Sequence, residues 1–304
     1  MRLIAVIGPT ASGKSDLGFQ IASQLGGEII SADSMQIYRG MDIGTAKPPP
    51  EQRTKIKHHL IDILNPEERF NAGVFADLAG KIITTNSDPY VPSILVGGTG
   101  LYLKALLYGI TPAPEASEEV NSIIEDVLDA KGIAGCYERL QELDPESAEK
   151  LHPNDKARIT RALQVILMTG RSICDLQSEH PFKEGQYEIF FVGIKWPRDV
   201  LYQRINLRVE AMVDQGLIEE TNKLLAQGCS PSLASLNSIG YKQAVSLLQG
   251  KIDKPTMIRE IQQKSRHYAK KQITWYRKDE RIRWISPGES YDNLFKEIDR
   301  FLGR

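Results

Sequence analysis

Short apolar runs alternate with stretches of helical periodicity over the first 110 residues. Residues 3–7 form a continuous apolar run, and residues 16–22 then carry apolar side chains at helical spacing. The alternation continues with strand-like runs at 28–31, 59–63 and 93–96, and with helical spacing over 71–85 and 101–108. Strands that alternate with helices predict the α/β class, a doubly wound parallel sheet with helices on both faces.

The pattern changes at the proline-containing segment 111–114. From 118 to 179 the chain carries only helical periodicity, most clearly over 154–169, which predicts an inserted helical subdomain over 111–186. The strand-like stretch 187–196 returns to the core, so we expect the core to comprise residues 1–110 and 187–304. In its second part we predict helices near 198–213, 215–227, 240–249 and 255–278, a strand at 281–286 and a closing helix at 291–302.

A glycine-rich octet stands between the first strand and the first helix and fits the P-loop pattern G-x-x-x-x-G-K-[ST]. Its residues are Gly8, Pro9, Thr10, Ala11, Ser12, Gly13, Lys14 and Ser15. Such a loop curls its N–H groups around an anion at a helix N-terminus. Lys14 would reach a phosphate oxygen, and the Ser15 hydroxyl would help to hold Mg²⁺. The pattern indicates a diphosphate or triphosphate without specifying a nucleotide.

Composition and charge narrow the range of partners. Hydrophobic residues make up 41% of the 304 residues, and no apolar run approaches the roughly 20 residues that span a bilayer. With its three cysteines far apart, the chain has no disulfide framework or zinc motif. We expect a cytoplasmic protein, without a signal peptide or membrane contact, that acts as a monomer. The net charge of −1 means that a nucleic-acid partner needs a local basic surface.

Two further segments place polar side chains at predicted strand ends. Asp33 follows the second strand, where its carboxylate could accept a proton or simply shape a turn. Nearby, Gln36 offers an amide that suits an adenine edge, and Tyr38 offers an aromatic ring. The loop 97–100 brings the Thr99 hydroxyl and backbone donors for an oxyanion or leaving phosphate. The carboxyl ends of parallel strands share one edge, so we expect the P-loop, Asp33 and Thr99 to meet there.

The helix predicted over 255–278 is mostly positive and contains interleaved aromatic residues. Its expected apolar side comprises Met257, Ile261, Tyr268, Ile273, Trp275 and Tyr276. Basic residues flank that side, and we select Arg266, Lys270, Lys271 and Arg277 as candidate contacts to a phosphate backbone. The alternative is a packed helix with solvated lysines. Elsewhere, Arg158 and Arg161 could add a second basic edge. Arg204 and Arg208 could clamp a phosphate or pair with Glu210 or Glu219.

Several of these segments together resemble the tRNA dimethylallyltransferase family, also called tRNA isopentenyltransferases or IPP transferases. The resemblance is carried by the P-loop, by residues 33–48 and 97–102, and by the C-terminal motifs at 238–241 and 268–275. It covers nearly the whole chain, and the run 33–48 is the most specific. The resemblance implies a P-loop NTPase-like core with a helical insertion that contacts the tRNA anticodon arm.

The resemblance also implies an activity and roles for individual residues. A dimethylallyl group would pass from dimethylallyl diphosphate to N6 of the adenosine 3′ of the anticodon (tRNA position 37), giving N6-isopentenyladenosine and diphosphate. Asp33 would be the base and Thr99 a second catalytic residue. The P-loop and Arg208 would bind the diphosphate, with Mg²⁺ held through Ser15. Contacts to the tRNA anticodon stem-loop would come from Asp33, Ser34, Met35, Gln36, Ala157, Arg158, Ile159, Thr160 and Arg161, besides the basic helix.

One departure from the family and two other functions accompany this prediction. Asn121 stands where family members usually carry an arginine that contacts tRNA or phosphate. A small-molecule or nucleotide kinase would use the same P-loop for ATP, but it would leave the basic helix and the insertion unexplained. The strand at 93–96 lacks the terminal aspartate of a Walker B strand, which counts against a motor ATPase or GTPase. A non-catalytic RNA-binding protein would have no use for two glycine loops and Asp33.

Overall fold

The computed structural model describes residues 1–85, 91–111, 113–179 and 186–304. The chain divides into two compact units, of which the first comprises Met1–Leu107 and Glu184–Arg304 and the second comprises Tyr108–Lys183. Both ends of the second unit lie three residues before the ends expected for the insertion, 111 and 186. None of the helices in the described residues combines the length and apolar character that crossing a membrane requires.

The first unit is built on a parallel sheet of six strands in the described residues. The strands are β1 (Arg2–Ile7), β2 (Glu28–Ala32), β3 (His58–His59), β4 (Ser93–Gly97), β5 (Glu188–Ile194) and β6 (Ile282–Ile285). Their spatial order is β3-β2-β4-β1-β5-β6, and each neighbouring pair is parallel. The P-loop strand β1 is therefore central, between β4 and β5.

The helices are given in chain order for both units. They are α1 (Lys14–Leu25), α2 (Pro50–Lys55), α3 (Ala72–Thr85), α4 (Gly100–Tyr108), α5 (Glu118–Leu143), α6 (Pro145–Glu149), α7 (Lys156–Thr169), α8 (Ile173–Glu179), α9 (Arg198–Asp214), α10 (Leu217–Ala226), α11 (Tyr241–Leu248), α12 (Lys254–Tyr276) and α13 (Tyr291–Leu302). The helix α5 is interrupted at Gly132, whose φ of 65° departs from helical geometry.

Both faces of the sheet are covered, as the near-continuous apolar strands predict. Successive side chains of a strand point to opposite faces. Leu3, Ala5 and Ile7 of β1 accordingly pack with α3 and α4, around Phe75 and Leu103. Ile4 and Val6 pack on the other face with α1 and α13. A separate apolar cluster joins α9, α10, α11 and α12 to the loop that follows β2. The predicted doubly wound α/β class is confirmed.

One local prediction in the first unit is wrong. The third strand, expected over 59–63, ends at His59, because Leu60 (φ 61°) and Asp62 (φ 56°) adopt left-handed backbone that cannot continue a strand. After the loop that follows β2, the short helix α2 begins with Pro50 in its first turn. Proline is well tolerated there because its missing N–H would have no partner inside the helix.

The second unit has a core of its own, formed mainly by α5, α6 and α7. Buried members include Val120, Ile124, Leu140 and Ile159. Asn121, at the position where the family usually carries arginine, accepts a hydrogen bond from Gln164 at 2.9 Å and donates to the Ala116 carbonyl at 3.4 Å. Its side chain therefore links α5 to α7 within this unit.

Candidate active site at the P-loop

The P-loop forms the turn between β1 and α1. Its backbone is left-handed at Ala11 (φ 62°) and at Gly13 (φ 92°), so the chain folds back before the helix begins at Lys14. The Ser12 N–H donates to the Pro9 carbonyl across this turn at 3.2 Å. The N-terminus of the twelve-residue helix α1 thus opens into a cavity, where the helix dipole favours an anion.

The structure brings five of the eleven predicted diphosphate and catalytic residues to this cavity. Thr10, Lys14, Ser15, Asp33 and Arg208 line it together. A second cavity shares Thr10, Asp33 and Arg208 and extends past Ser34 and Met35 to apolar side chains of α9 and α12. Residues separated by nearly two hundred positions in sequence therefore share one site.

The electrostatics of the cavity favour a strongly negative ligand. Burial, followed by the nearby Arg208 guanidinium, lowers the pKa of Lys14 to about 8, while the Asp33 carboxylate acts in the opposite direction. Burial also lowers the pKa of Arg208. Within the part of the chain that the structure describes, neither cation has a carboxylate within ion-pair distance. An anion in the cavity would supply the missing counter-charge.

Asp33 and Thr99 lie side by side at the carboxyl edge of the sheet. Ala32 pairs with Gly97 in the β2–β4 ladder, and the Thr99 N–H donates to the Ala32 carbonyl at 3.4 Å. One Asp33 carboxylate oxygen accepts the Met35 N–H at 2.9 Å, so the residue does form the turn that sequence reasoning left open. No hydrogen bond reaches its second oxygen from the described residues, although Asp33 lines both cavities.

The loop after Asp33 is held by its own polar groups. The Gln36 amide accepts from the Ser31 hydroxyl at 2.9 Å and donates to the Thr45 and Ala46 carbonyls at 3.3 Å each. The expected contact between Gln36 and an adenine edge stays a prediction, since this amide is engaged inside the loop. Glu220 of α10 caps the same loop by accepting backbone N–H groups of residues 42–44.

The motif at 238–241 supports that cap. The Tyr241 hydroxyl donates to the Glu220 carboxylate at 2.5 Å, and its ring packs so closely on Gly44 that a Cβ there would lie 2.5 Å from it. Burial and the Glu220 carboxylate raise the pKa of Tyr241, so this hydroxyl stays a donor. Gly44 is required by this close approach.

Helix α12 buries only part of the side that its sequence predicts. The buried residues are Met257, Ile261, Ala269, Gln272 and Tyr276. Tyr268, Ile273 and Trp275, expected on the buried side, are 38%, 37% and 48% exposed. The error arose because the apolar side chains were counted as core, whereas a small residue and an amide fill the positions against the P-loop. Tyr268 lines both cavities.

The four basic residues selected on α12 differ in their surroundings. Lys270, Lys271 and Arg277 are exposed. Arg266 is half-buried and donates to the Asn206 side chain of α9 at 2.6 Å. The first three therefore present their charge to solvent, whereas Arg266 has a structural partner.

In the second unit, residues 157–161 occupy the start of α7. Ala157 and Arg158 are exposed, and Arg158 pairs with the N-cap residue Asp155 at 2.8 Å. Ile159 is fully buried, so its side chain belongs to the core and not to a surface. Thr160 donates to the Lys156 carbonyl at 2.8 Å. Arg161 donates to the carbonyls of Pro114 and Ala113 at 3.0 and 3.1 Å.

Sequence reasoning missed the side chains that hold the P-loop from outside. Trp196 donates to the Ser12 carbonyl at 2.8 Å, and Arg204 donates to the Ala11 carbonyl at 2.9 Å while stacking over the Trp196 ring. This backbone contact takes the place of the alternative pairing with Glu210 or Glu219. The suggested phosphate clamp stays a prediction, since Arg204 and Arg208 line a cavity together with Lys14 and Ser15. Gln272 contacts Thr10 of the P-loop. In the sequence, only its position within the C-terminal motif 268–275 pointed to a role for this residue.

The comparisons with known proteins agree with this geometry. The IPP transferase family profile matches residues 36–279. The chain is 43% identical to a tRNA dimethylallyltransferase of Geobacter sulfurreducens, over 99% of this chain and 97% of the other. It is also 44% identical to a tRNA dimethylallyltransferase 2 of Syntrophus aciditrophicus, over 100% and 96%.

The chain belongs to the IPP transferase family. Among solved structures, the tRNA isopentenylpyrophosphate transferase of Bacillus halodurans is 38% identical with a TM-score of 0.71, covering 99% of this chain and 95% of that one. A eukaryotic dimethylallyltransferase acting on tRNA is 25% identical with a TM-score of 0.80, covering 100% and 80%. Membership confirms the resemblance identified from the sequence motifs.

Proposed function

We propose that this protein transfers a dimethylallyl group from dimethylallyl diphosphate to N6 of the adenosine 3′ of the tRNA anticodon, position 37. The supporting observation is the shared cavity in which the Asp33 carboxylate stands beside the Lys14 and Arg208 cations. A base and a site for an anionic leaving group are the two functions that this transfer needs. The relatives named tRNA dimethylallyltransferase also support this proposal.

The leaving diphosphate would lie at the N-terminus of α1. Lys14 and Arg208 are cations without a carboxylate partner among the described residues, and the P-loop N–H groups add to their field. Both would gain a counter-charge when the ligand binds, and both would stabilise the charge that develops as the carbon–oxygen bond breaks.

Mg²⁺ fits this site as a partner of the ligand. No group of three or more His, Cys, Asp or Glu side chains in the described residues forms a metal cluster. Mg²⁺ often binds through few protein oxygens together with substrate phosphates and water. The exposed Ser15 hydroxyl would hold the ion against the diphosphate, with Asp33 in the same cavity. When bound, the ion would add positive charge at the leaving oxygens.

The reaction forms one bond and breaks one. Adenosine N6 attacks C1 of the dimethylallyl group, and the bond between C1 and the bridging oxygen breaks, so that its electron pair leaves with the diphosphate. Asp33 takes the proton that N6 loses. Thr99, beside Asp33, would offer its hydroxyl to the departing oxygen. The target adenosine must leave its stack to reach this cavity.

A substrate assay distinguishes this function from its alternatives. Protein is incubated with labelled dimethylallyl diphosphate or labelled ATP, with and without unmodified tRNA. We expect label on tRNA from the prenyl diphosphate only, and loss of that transfer in Lys14→Ala. Phosphoryl transfer from ATP would indicate a kinase, and tRNA binding without any transfer would indicate a binding protein.

Calorimetry with dimethylallyl diphosphate and with ATP gives a second test. Lys14→Ala should weaken the binding of dimethylallyl diphosphate, because the variant removes a cation that lines the site. Tight binding of ATP by the wild-type protein, with no measurable binding of the prenyl diphosphate, would contradict the proposal.

A further inference from the structure

The side chain of Gln272 joins the two glycine loops of the site. Its Oε1 accepts the Thr10 N–H of the P-loop at 2.9 Å, and its Nε2 donates to the Gly98 carbonyl at 3.1 Å. The Thr10 N–H can only donate and the Gly98 carbonyl can only accept. These two partners therefore define which end of the Gln272 amide is the oxygen and which is the nitrogen. The side chain is buried, with 6% of the residue exposed.

The amide has almost no room to move. A Cβ atom at Gly98 would lie 2.1 Å from Nε2 of Gln272 and 3.1 Å from the Gly8 carbonyl oxygen, so the two loops are in direct contact here. One turn earlier, Ala269 is fully buried in a cluster with Ala11 of the P-loop. Helix α12 is therefore fixed against the P-loop by packing as well as by the amide.

These contacts define what the two loops offer to a ligand. The Thr10 N–H is used by Gln272, so Thr10 offers its hydroxyl to the diphosphate and not its backbone. The Gly98 carbonyl is held by Nε2 while the next N–H, of Thr99, is bonded to Ala32. The half-buried Thr99 is thereby held at the carboxyl edge of the sheet, next to the residue that precedes Asp33.

We infer that Gln272 is a positioning residue, which sets the separation between the P-loop that binds the leaving diphosphate and the Thr99 loop. The inference rests on the proposed prenyl transfer. Gln272 acts through Thr10 and Thr99 and need not touch the reacting atoms. Its effect should therefore fall mostly on kcat, since Lys14 and Arg208 retain their charges.

Two substitutions separate its two hydrogen bonds. Gln272→Met keeps the approximate shape and removes both, and we expect kcat/KM for prenyl transfer to fall by about a hundredfold, the order expected for a misplacement of about 1 Å. Gln272→Glu keeps an acceptor for Thr10 but has no donor for Gly98 when ionised. Because position 272 is buried, the pKa of the introduced carboxyl should be raised, so that lowering the pH from about 8 to about 6 protonates part of its population. The activity of Gln272→Glu relative to wild type should then rise.

Gln262→Met is the matched control on the same helix. The Gln262 amide contacts Glu210 at 3.2 Å, away from both loops, and we expect wild-type activity from this variant. Calorimetric titration with inorganic diphosphate measures the fraction of each variant with an intact site. A Gln272→Met variant that binds diphosphate at wild-type stoichiometry but turns over slowly supports the inference.

Three results would overturn the inference. These are activity of Gln272→Met within about threefold of wild type, a loss matched by reduced diphosphate stoichiometry, or an equal loss in Gln262→Met. A pH-independent deficit in Gln272→Glu would count against the bond to Gly98. Failure of the proposed function would look different, because the wild-type protein itself would then transfer no prenyl group.

Discussion

The Asp33 carboxylate shapes a turn and also lines the candidate active site. One oxygen accepts the Met35 N–H and shapes the turn after β2, which is the structural role that its sequence context favours. The residue nevertheless lines both cavities together with Arg208. The two roles are compatible because a carboxylate has two oxygens, and the turn fixes the direction of the second.

Asp33→Asn should separate these two roles. The amide oxygen can still accept the Met35 N–H, so the turn should persist, but the side chain can no longer take a proton from N6. We expect kcat to fall by about two to four orders of magnitude, the range for a general base, with diphosphate and tRNA binding retained. Single-turnover transfer on preformed enzyme–tRNA complex measures the step directly. Asp77→Asn on the exposed side of α3 is the control, and near-normal transfer by Asp33→Asn would remove it from the mechanism.

The site residues that could be predicted are those that a short stretch of neighbouring sequence identifies. Gly8 to Ser15 form a contiguous pattern, and Asp33 and Thr99 each follow an apolar strand. Gln272 and Arg204 could not be assigned, because their partners Thr10 and Ala11 lie 262 and 193 positions away. A contact between a side chain and a distant backbone atom leaves no periodic signal in the sequence.

At the scale of the element, α12 serves the core and the surface with different faces. Its buried stripe uses Ala269 and Gln272 against the P-loop, whereas Trp275, Lys270 and Lys271 are exposed. The existence and approximate length of the helix could be predicted from its periodicity, and in the structure Asp253 caps its N-terminus. The buried face could not be predicted, because hydrophobicity alone favours burial of Trp275 over burial of Ala269.

The exposed charges of α12 give the second prediction. If Lys270, Lys271 and Arg277 neutralise tRNA phosphates, each alanine variant should flatten the slope of log Kd against log salt by about 0.7 to 0.9. Arg266→Ala should change the slope less, because its guanidinium is bonded to Asn206. Saturating tRNA should restore most of kcat. Arg300→Ala, exposed on α13, is the control, and wild-type slopes in all three variants would place the tRNA path elsewhere.

The segment that links β2 to β3 is held by a buried lysine. Lys47, whose side chain is 2% exposed, donates to the Tyr38 carbonyl and to the carboxylates of Asp42 and Asp62. Burial acts to raise the pKa of Asp62, but hydrogen bonds from Lys47 and Arg53 outweigh it and hold this pKa below the usual 3.8. This group therefore stabilises the fold above its ordinary pKa, and the contribution is lost as the pH falls through the folded value.

Asp62→Asn is the third prediction. Asparagine tolerates the left-handed backbone at this position, so the charge is the main change. We expect the free energy of unfolding near pH 7 to fall by about 1 to 3 kcal/mol, because Lys47 loses a charged acceptor. Urea titrations should show this difference intact at about pH 5 and shrinking below about pH 4. Glu146→Gln, which breaks an exposed pair with Lys150, should have little effect. A difference independent of pH would mean that the ion pair is not its cause.

For the whole molecule, the alternation of apolar runs and helical periodicity was enough to predict the class of the fold. The strand-like run at 59–63 misled because its apolar residues are buried in a turning segment instead of a strand. The insertion was visible as a loss of strand-like runs between 118 and 179. The arrangement of strands could not be predicted, since the neighbours of β1 are β4 and β5, which are distant in sequence.

The fourth prediction is that the second unit contributes to tRNA binding, whereas the first unit binds the diphosphate. Arg158 in the second unit forms an exposed ion pair with Asp155, three residues before it on α7, and belongs to the segment expected to contact tRNA. Arg139 forms the same kind of exposed pair with Glu142 on α5, outside that segment. Because the two arginines share a unit, a spacing and a partner type, they make a matched pair of variants.

Arg158→Ala should raise KM for tRNA and flatten its salt slope by about 0.7 to 0.9, while Arg139→Ala should do neither. Neither variant should change the binding of dimethylallyl diphosphate, because the cations proposed to hold it lie in the first unit. Calorimetry with the diphosphate and filter binding of tRNA over a range of salt measure the two ligands separately. Equal tRNA affinity and slope in both variants would show that residues 157–161 do not supply charge to the tRNA. A change in diphosphate binding would show that the two functions are not divided between the units.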